Sequence, residues 1–272
     1  MKVIIDGAEA DVKFEKEKTL GEALSSIENW INESGFCLSR VSVNGTDADT
    51  GNLFSNNIDD IKSLDIVTRP LAVLYSEALS ELIKTLDAWR NETGRREAIE
   101  AEYKESPSYS FLADYDKRLF IILYDGNLSR YFSDESVKKT LEAARQRLSE
   151  AENPAAAFLD MESDLDEEVG RLQDLQLDLQ TGNDKRAAQT VEKFSDITQK
   201  IIRLFPLLKY AMIKKTDKVL ILFDEFKPAL EEFLTAYENE DMVLSGDLAE
   251  YEIAPRIKEI YAALKESLFV RE

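Results

Sequence analysis

An amphipathic period of 3.6 residues runs through most of the chain from Pro70 onwards. Apolar side chains recur three or four positions apart, the spacing that places them on one face of an α-helix. In residues 71–89 this face carries Tyr75, Leu79, Leu82, Leu86 and Trp89. Further segments of the same kind follow residue 133 and are separated by short polar joints. We therefore predict a domain of antiparallel helical hairpins, an α-helical bundle, over residues 70–272.

Residues 1–69 have a different pattern. Two short strand-like runs flank Asp6-Gly7, a dipeptide suited to the positive φ angles of a hairpin turn. Thr19 and Glu22 form a capping box ahead of a helix that Gly35 can end. Strand signals return in "FCLSRVSV" (36–43), where Leu38, Val41 and Val43 are the expected inward positions, and a last strand is expected near 64–68.

The order of these elements resembles the ubiquitin-like β-grasp fold. The resemblance rests on element order, and its most specific parts are two segments. These are "RVSVNGTDAD" (40–49), where that fold has its third strand and turn, and "NNIDDIKSLDIVTR" (56–69), where it has a short helical turn before the last strand. It implies a compact β-grasp domain over residues 1–69, a class often used for binding. Carrier or conjugation chemistry is not implied, because the chain continues past this region without a terminal Gly-Gly. The fold class expected for the whole chain is α+β.

Residues 91–133 have the weakest periodicity. Segments 91–97 and 104–110 have the polar, Gly- and Pro-containing composition of loops. The apolar run "RLFIILY" (118–124) fits either a buried helix or a strand, and its helical neighbours favour the helix. Residues 154–182 begin with a proline suited to a first helical turn and are predicted to form one helix that ends at Gly182.

Two joints between helices in the C-terminal half are similar to each other. An offset of 57 residues matches "LDLQTGNDKRAAQTVEKF" (177–194) with "LTAYENEDMVLSGDLAEY" (234–251), pairing Asp184 with Asp241 and Phe194 with Tyr251. Identities are few, so duplication of a helical hairpin stays an open alternative. The second joint and its following helix also resemble the C-terminal part of an uncharacterised bacterial family, a resemblance that implies no activity.

Composition excludes several function classes. The chain has 54 Asp and Glu against 34 Lys and Arg, a net charge of −20, which disfavours nucleic-acid and membrane-surface binding and favours basic partners. The absence of histidine excludes His-based catalysis, and Cys37 is alone, so it is expected to be a small buried strand residue. We expect no catalytic residues, no cofactor and no metal site. A secretion-signal apolar region is missing, which predicts a cytoplasmic protein.

Three acidic stretches are candidate cation sites. Residues 238–257 gather six carboxylates around one glycine, and apolar positions continue through them, which favours a joint between two helices capped by Asn239 or Asp241. Residues 160–171 lack the spacing of a calcium loop and stay in helical register. Residues 44–52, with Asp47 and Asp49, could hold a cation weakly, but a polar hairpin loop is the favoured interpretation.

Aromatic side chains are the strongest candidates for a binding site. The segment 220–237 carries Phe223, Phe226, Phe233 and Tyr237, more than one core stripe usually requires. Core packing is one interpretation, and a partly exposed groove between hairpins is the other. We predict that these four residues contact a partner protein with a basic surface or an amphipathic helix, with the acidic residues 238–241 at the rim.

The resulting hypothesis is a non-catalytic protein-binding adaptor or scaffold in the cytoplasm, which holds its partner through the helical domain. The first alternative is an acidic chaperone for a secreted or flagellar export substrate. The second is an enzyme that uses carboxylates with a divalent cation.

Overall fold

The structure is a computed structural model that describes residues 1–14, 16–47, 55–124, 132–209, 212 and 217–269. The chain divides into two compact units, Met1–Asn153 and Pro154–Glu272. A mixed sheet followed by helices gives the α+β fold that the sequence predicts. The boundary predicted between residues 69 and 70 stays a prediction.

A five-stranded mixed sheet forms the N-terminal part of the first unit. Its strands are β1 (Lys2–Ile5), β2 (Ala8–Ala10), β3 (Phe36–Val43), β4 (Thr46–Asp47) and β5 (Ser63–Pro70). The spatial order is β2-β1-β5-β3-β4, in which only the β1–β5 pair is parallel. Two-residue turns close both hairpins as predicted, because Asp6-Gly7 and Asn44-Gly45 each adopt positive φ at both positions.

Helix α1 (Leu20–Glu33) covers one face of this sheet. The predicted capping box is present, since Thr19 Oγ1 accepts from Glu22 N at 3.3 Å and Glu22 Oε2 accepts from Thr19 N at 3.2 Å. Gly35, just past the helix, has φ 76°. The buried helix positions meet the inward strand positions in one core, and full burial of each aliphatic side chain contributes about 1.5–3 kcal/mol. This core contains Val3, Leu20, Leu24, Ile27, Ile31, Val43, Ile61, Leu64 and Ile66.

The remainder of the first unit is helical. It comprises α2 (Leu71–Asn91), α3 (Arg96–Lys104), α4 (Pro107–Tyr115), α5 (Lys117–Leu123) and α6 (Asp134–Glu152). The apolar run 118–124 forms a helix, as favoured. The loop expected over residues 104–110 is wrong from Pro107 onwards, because Ser106 Oγ accepts from Tyr109 N and Pro107 occupies the first helical turn.

The second unit is entirely helical in its described part. It comprises α7 (Pro154–Leu159), α8 (Glu162–Gln173), α9 (Leu175–Gln180), α10 (Asp184–Leu208), α11 (Asp217–Glu238), α12 (Met242–Leu248), a π-helical turn (Ala249–Ile253) and α13 (Ala254–Phe269). No helix in the described ranges is long and apolar enough to cross a membrane.

The single helix predicted over 154–182 is divided into α7, α8 and α9. Between α7 and α8, Asp160 N donates to Ala156 O and Leu165 N donates to Met161 O, so hydrogen bonds of helical spacing continue across this break. The apolar stripe is buried on both sides of it, so the periodicity that predicted one helix is preserved while the regular hydrogen bonding is interrupted. Gly182, with φ 74°, ends the segment as predicted.

The two joints matched by the 57-residue offset differ in structure. The first leads into α10, a helix of 25 residues, and the second into the seven-residue α12 and a π-helical turn. Phe194 is 3% exposed whereas Tyr251 is 65% exposed. The paired aromatic positions are therefore not structurally equivalent.

Candidate functional site

Helix α11 carries all four predicted partner-binding aromatics. Phe226 and Phe233 are 2% and 0% exposed, and Phe223 and Tyr237 are half-buried. The four side chains thus face the interior of the second unit, which is the core-packing interpretation of their spacing.

Ring contacts tie these side chains to α10. The Phe223 ring lies 5.2 Å from that of Phe205, and the Phe233 ring lies perpendicular to Phe194 at 6.3 Å. Tyr237 stacks beside Phe233 at 6.2 Å. Phe226 and Phe233 are therefore core residues that a partner would not reach on this surface. The role predicted for the four in partner binding stays a prediction.

The opposite face of α11 is exposed and has a regular charge pattern. Successive residues turn about 100° around a helix axis, so Ile221, Pro228 and Thr235 fall on one line along the helix. Two rows of carboxylates flank this line, and all of them are exposed. One row is Asp224, Glu231 and Glu238, and the other is Glu225 and Glu232. We call this surface the acidic face.

A cleft of about 440 Å³ lies where the acidic face meets α12. Its lining combines apolar and small side chains with carboxylates and one amide. The residues that line it are Pro228, Glu231, Glu232, Thr235, Ala236, Asn239, Asp241 and Leu244. Elsewhere on these two helices, Leu234 of α11 and Val243 of α12 are 42% and 58% exposed.

The joint between α11 and α12 sets the position of this cleft. Asp241 Oδ1 accepts from Leu244 N at 3.0 Å, which makes Asp241, rather than Asn239, the cap of α12. Asp241 N in turn donates to Ala236 O at 3.0 Å. Glu240 adopts φ 56°, the left-handed conformation that reverses the chain here. The predicted joint is therefore a structural turn, and Asn239 and Asp241 from this joint line the cleft.

Gly246 holds α12 close against α9. A Cβ added to Gly246 would lie 2.5 Å from the Cβ and 2.9 Å from the Cα of Gln176, so only glycine permits this approach. Gln176 Nε2 also donates to Asp247 Oδ1 at 3.2 Å. The wall of the cleft that carries Leu244 is thus fixed by backbone packing.

Most carboxylates of the acidic face form no ion pair within the described part of the chain. Asp224, Glu231, Glu232 and Glu238 make no ion pair with any residue in the described ranges. Arg256 approaches Glu225 at 3.9 Å but lies closer, at 2.6 Å, to Glu252. Residues 224–238 hold five carboxylates and one lysine, Lys227, so this part of the helix carries an excess of negative charge.

The π-helical turn after α12 adds to this excess of negative charge. A hydrogen bond to Glu250 and the charges of Glu250 and Asp247 raise the pKa of Tyr251, whose ring is exposed. A raised phenol pKa means that the surroundings disfavour a further negative charge.

Carboxylates in the other two acidic stretches form ion pairs with Lys or Arg side chains. In residues 160–171, Glu162 pairs with Lys265 and Asp166 with Lys258. Asp47 forms a bidentate pair with Arg40, and Asp49 lies outside the described residues. Within the described residues, no group of three or more Cys, Asp and Glu side chains could hold a metal ion. The acidic face differs from these stretches because most of its carboxylates form no ion pair within the described residues.

The sequence analysis missed the acidic face as a candidate site. A signal was present, because Asp224-Glu225 and Glu231-Glu232 are seven residues apart and Glu238 continues the series. The predictions from the sequence used only the aromatic residues of this segment.

Family models match two separate parts of the chain. Residues 1–70 are similar to the family described as the TP0873 N-terminal domain, and residues 160–263 are similar to a domain of unknown function, DUF8042. The second match includes the whole cleft, and the first covers the sheet and α1. No curated protein and no solved structure matches the chain.

Proposed function

We propose that this protein is a non-catalytic adaptor that holds a partner protein with a basic surface on the acidic face of its helical part. One observation carries the proposal: Glu231 and Glu232, which form no ion pair within the described residues, line a cleft together with the apolar Pro228, Ala236 and Leu244. The apolar side chains contribute burial, and the carboxylates select a partner of opposite charge.

The expected energetics favour specificity and fast encounter over tight binding. An exposed ion pair contributes about 0.2–1 kcal/mol, and few apolar side chains line this cleft. Steering by the net charge of −20 raises the association rate with basic partners. Salt screens charges that lie farther apart than the Debye length, which is about 10 Å in 0.1 M salt and about 3 Å in 1 M salt. Binding is therefore expected to weaken as the salt concentration rises.

We further propose that the N-terminal region is a ubiquitin-like β-grasp domain. The strand order β2-β1-β5-β3-β4, with a parallel central pair and α1 on one face, supports this assignment. A second docking module of this kind suits an adaptor that joins two partners.

A cytoplasmic location forms part of the same proposal. Cys37 is a free thiol, half-buried in β3, and burial with the nearby Glu28 carboxylate raises its pKa to about 11. A reducing compartment preserves such a thiol.

The test is affinity capture from native extract with tagged full-length protein. Glu231→Lys/Glu232→Lys reverses the centre of the acidic face without touching a buried residue. The matched control, Glu33→Lys/Glu142→Lys, makes the same change in net charge at exposed positions of α1 and α6. We expect wild type and control to recover the same proteins, at a yield that falls with salt, and the acidic-face variant to lose them. Equal recovery by both variants would contradict the proposed surface.

A further inference from the structure

We infer that the partner segment held by the acidic face is a basic amphipathic helix whose Lys or Arg residues recur every seven positions. This inference rests on the proposed function and names the kind of segment that fits the surface. The spacing of the carboxylates along α11 carries it.

Each carboxylate row repeats every seven residues. Asp224, Glu231 and Glu238 form one row, and Glu225 and Glu232 form the other. Seven residues make about two helical turns, so neighbouring members of a row are about 10.5 Å apart along the axis. A ligand with cations at the same interval can pair with several members of a row at once.

A helix reproduces this interval on one face, whereas an extended strand does not. In a helix, residues seven apart lie close to the same line and about 10.5 Å from each other. In a strand, an interval of about 10 Å corresponds to three residues, and side chains three apart point to opposite faces. The carboxylate spacing therefore matches a helical partner.

Small side chains between the two rows allow that helix to come close. Of the three residues on the line between the rows, Pro228 and Thr235 lie in the cleft, and packed helices have their axes about 8–10 Å apart. Leu244 stands at the side of the cleft and can contact an apolar residue of the partner between its cationic positions.

Charge complementarity defines the partner's polar positions. Glu231 and Glu232 lie side by side in sequence and on either side of the central line, so one cation of the partner can approach both. The same applies to Asp224 and Glu225, although Arg256 already lies 3.9 Å from Glu225. The central pair is therefore expected to contribute most to recognition.

The test uses full-length protein and two synthetic helical peptides of about 18 residues, long enough for two such intervals. The matched peptide has lysines seven residues apart with leucines between them on the same face. The permuted peptide has the same composition and net charge, with its lysines distributed around the helix. Fluorescence anisotropy measures both affinities. We expect the matched peptide to bind about tenfold more tightly.

Variants separate this inference from the proposed function. Glu231→Lys/Glu232→Lys should abolish the preference for the matched peptide, and Glu33→Lys/Glu142→Lys should retain it. If both peptides bind equally and the acidic-face variant weakens both, the seven-residue spacing is wrong while the acidic face stands as a docking surface. If neither peptide binds, the inference is also wrong. Affinity capture would then test the proposed function independently.

Discussion

Gly246 of α12 packs so closely on Gln176 of α9 that a Cβ at position 246 would lie 2.9 Å from the Gln176 Cα. A backbone atom cannot move aside as a flexible side chain can. Gly246→Ala should therefore lower the free energy of unfolding by about 1–3 kcal/mol, although alanine favours helix more than glycine does. Urea unfolding followed by circular dichroism measures the change.

Gly170 provides the matched control. It lies within α8, and a Cβ there would meet nothing within 4 Å. Gly170→Ala should stabilise the protein by about 0.5–1 kcal/mol through helix propensity alone. A similar loss of stability in both variants would contradict the close packing of α12 on α9.

Removing one partner of a buried ion pair should lower the free energy of unfolding of the first unit. Arg147 Nε lies 2.7 Å from Asp116 Oδ2, both residues are less than 10% exposed, and the Tyr75 hydroxyl donates to the same carboxylate. Asp116→Ala leaves Arg147 charged and without this partner, so we expect a loss of about 3–5 kcal/mol in urea unfolding.

Replacing both charges distinguishes the pair from simple packing. Asp116→Leu/Arg147→Met removes the uncompensated charge and should cost less than Asp116→Ala alone. Asp116 also caps α5, because its Oδ1 accepts from Leu119 N at 3.2 Å. A double variant at least as unstable as the single one would show that loss of this cap and of packing, not an unpaired charge, causes the effect.

The turn at Glu240 should be improved by glycine. Its φ of 56° is left-handed, which costs an L-residue with a Cβ about 1–2 kcal/mol. Glu240→Gly is expected to raise the melting temperature relative to Glu240→Ala, which removes the same charge but keeps the Cβ. Equal melting temperatures for the two would rule out backbone strain at this joint.

Cys37 should make stability fall at alkaline pH. Burial, with the nearby Glu28 charge, raises the pKa of its thiol from 9.0 to about 11. Between these values the unfolded chain loses the thiol proton while the folded chain keeps it, so the unfolded state binds fewer protons and stability decreases as pH rises. Urea unfolding at pH 8 and pH 10.5 measures the decrease.

Cys37→Ser is the control for this pH dependence, because serine does not titrate in the range. The fall in stability should be smaller in that variant. Alkylation of native Cys37 at pH 8.5 should also be slow and should accelerate on unfolding. A native thiol that reacts as fast as the unfolded one would contradict its raised pKa.

Local signals predicted much of the fold. Asp6-Gly7 and Asn44-Gly45 specify their turns because both positions need positive φ, and Thr19 with Glu22 specifies a helix start because the hydrogen bonds are local. The segment at Pro107 was misinterpreted because Ser and Pro suit both a loop and the first turn of a helix. Local composition does not separate those two outcomes.

The candidate site was harder to predict because α11 has two informative faces. Its aromatic stripe and its carboxylate rows are both visible in the sequence, but only tertiary packing decides which one is buried. Phe226 and Phe233 pack inside the second unit, whereas Glu231 and Glu232 remain exposed. The position of Leu244 beside the cleft depends on the contact of Gly246 with Gln176, which joins residues far apart in sequence.

Site-specific photocrosslinking in living cells tests the central claim most directly. A benzophenone amino acid replaces Thr235, which lines the cleft, or Gln189, which is exposed on α10 of the same unit. We expect Thr235 to give a discrete adduct whose crosslinked peptide carries Lys or Arg, and the adduct to disappear in the Glu231→Lys/Glu232→Lys background. Adducts of equal yield from both positions, or none from Thr235, would contradict a docking site on the acidic face.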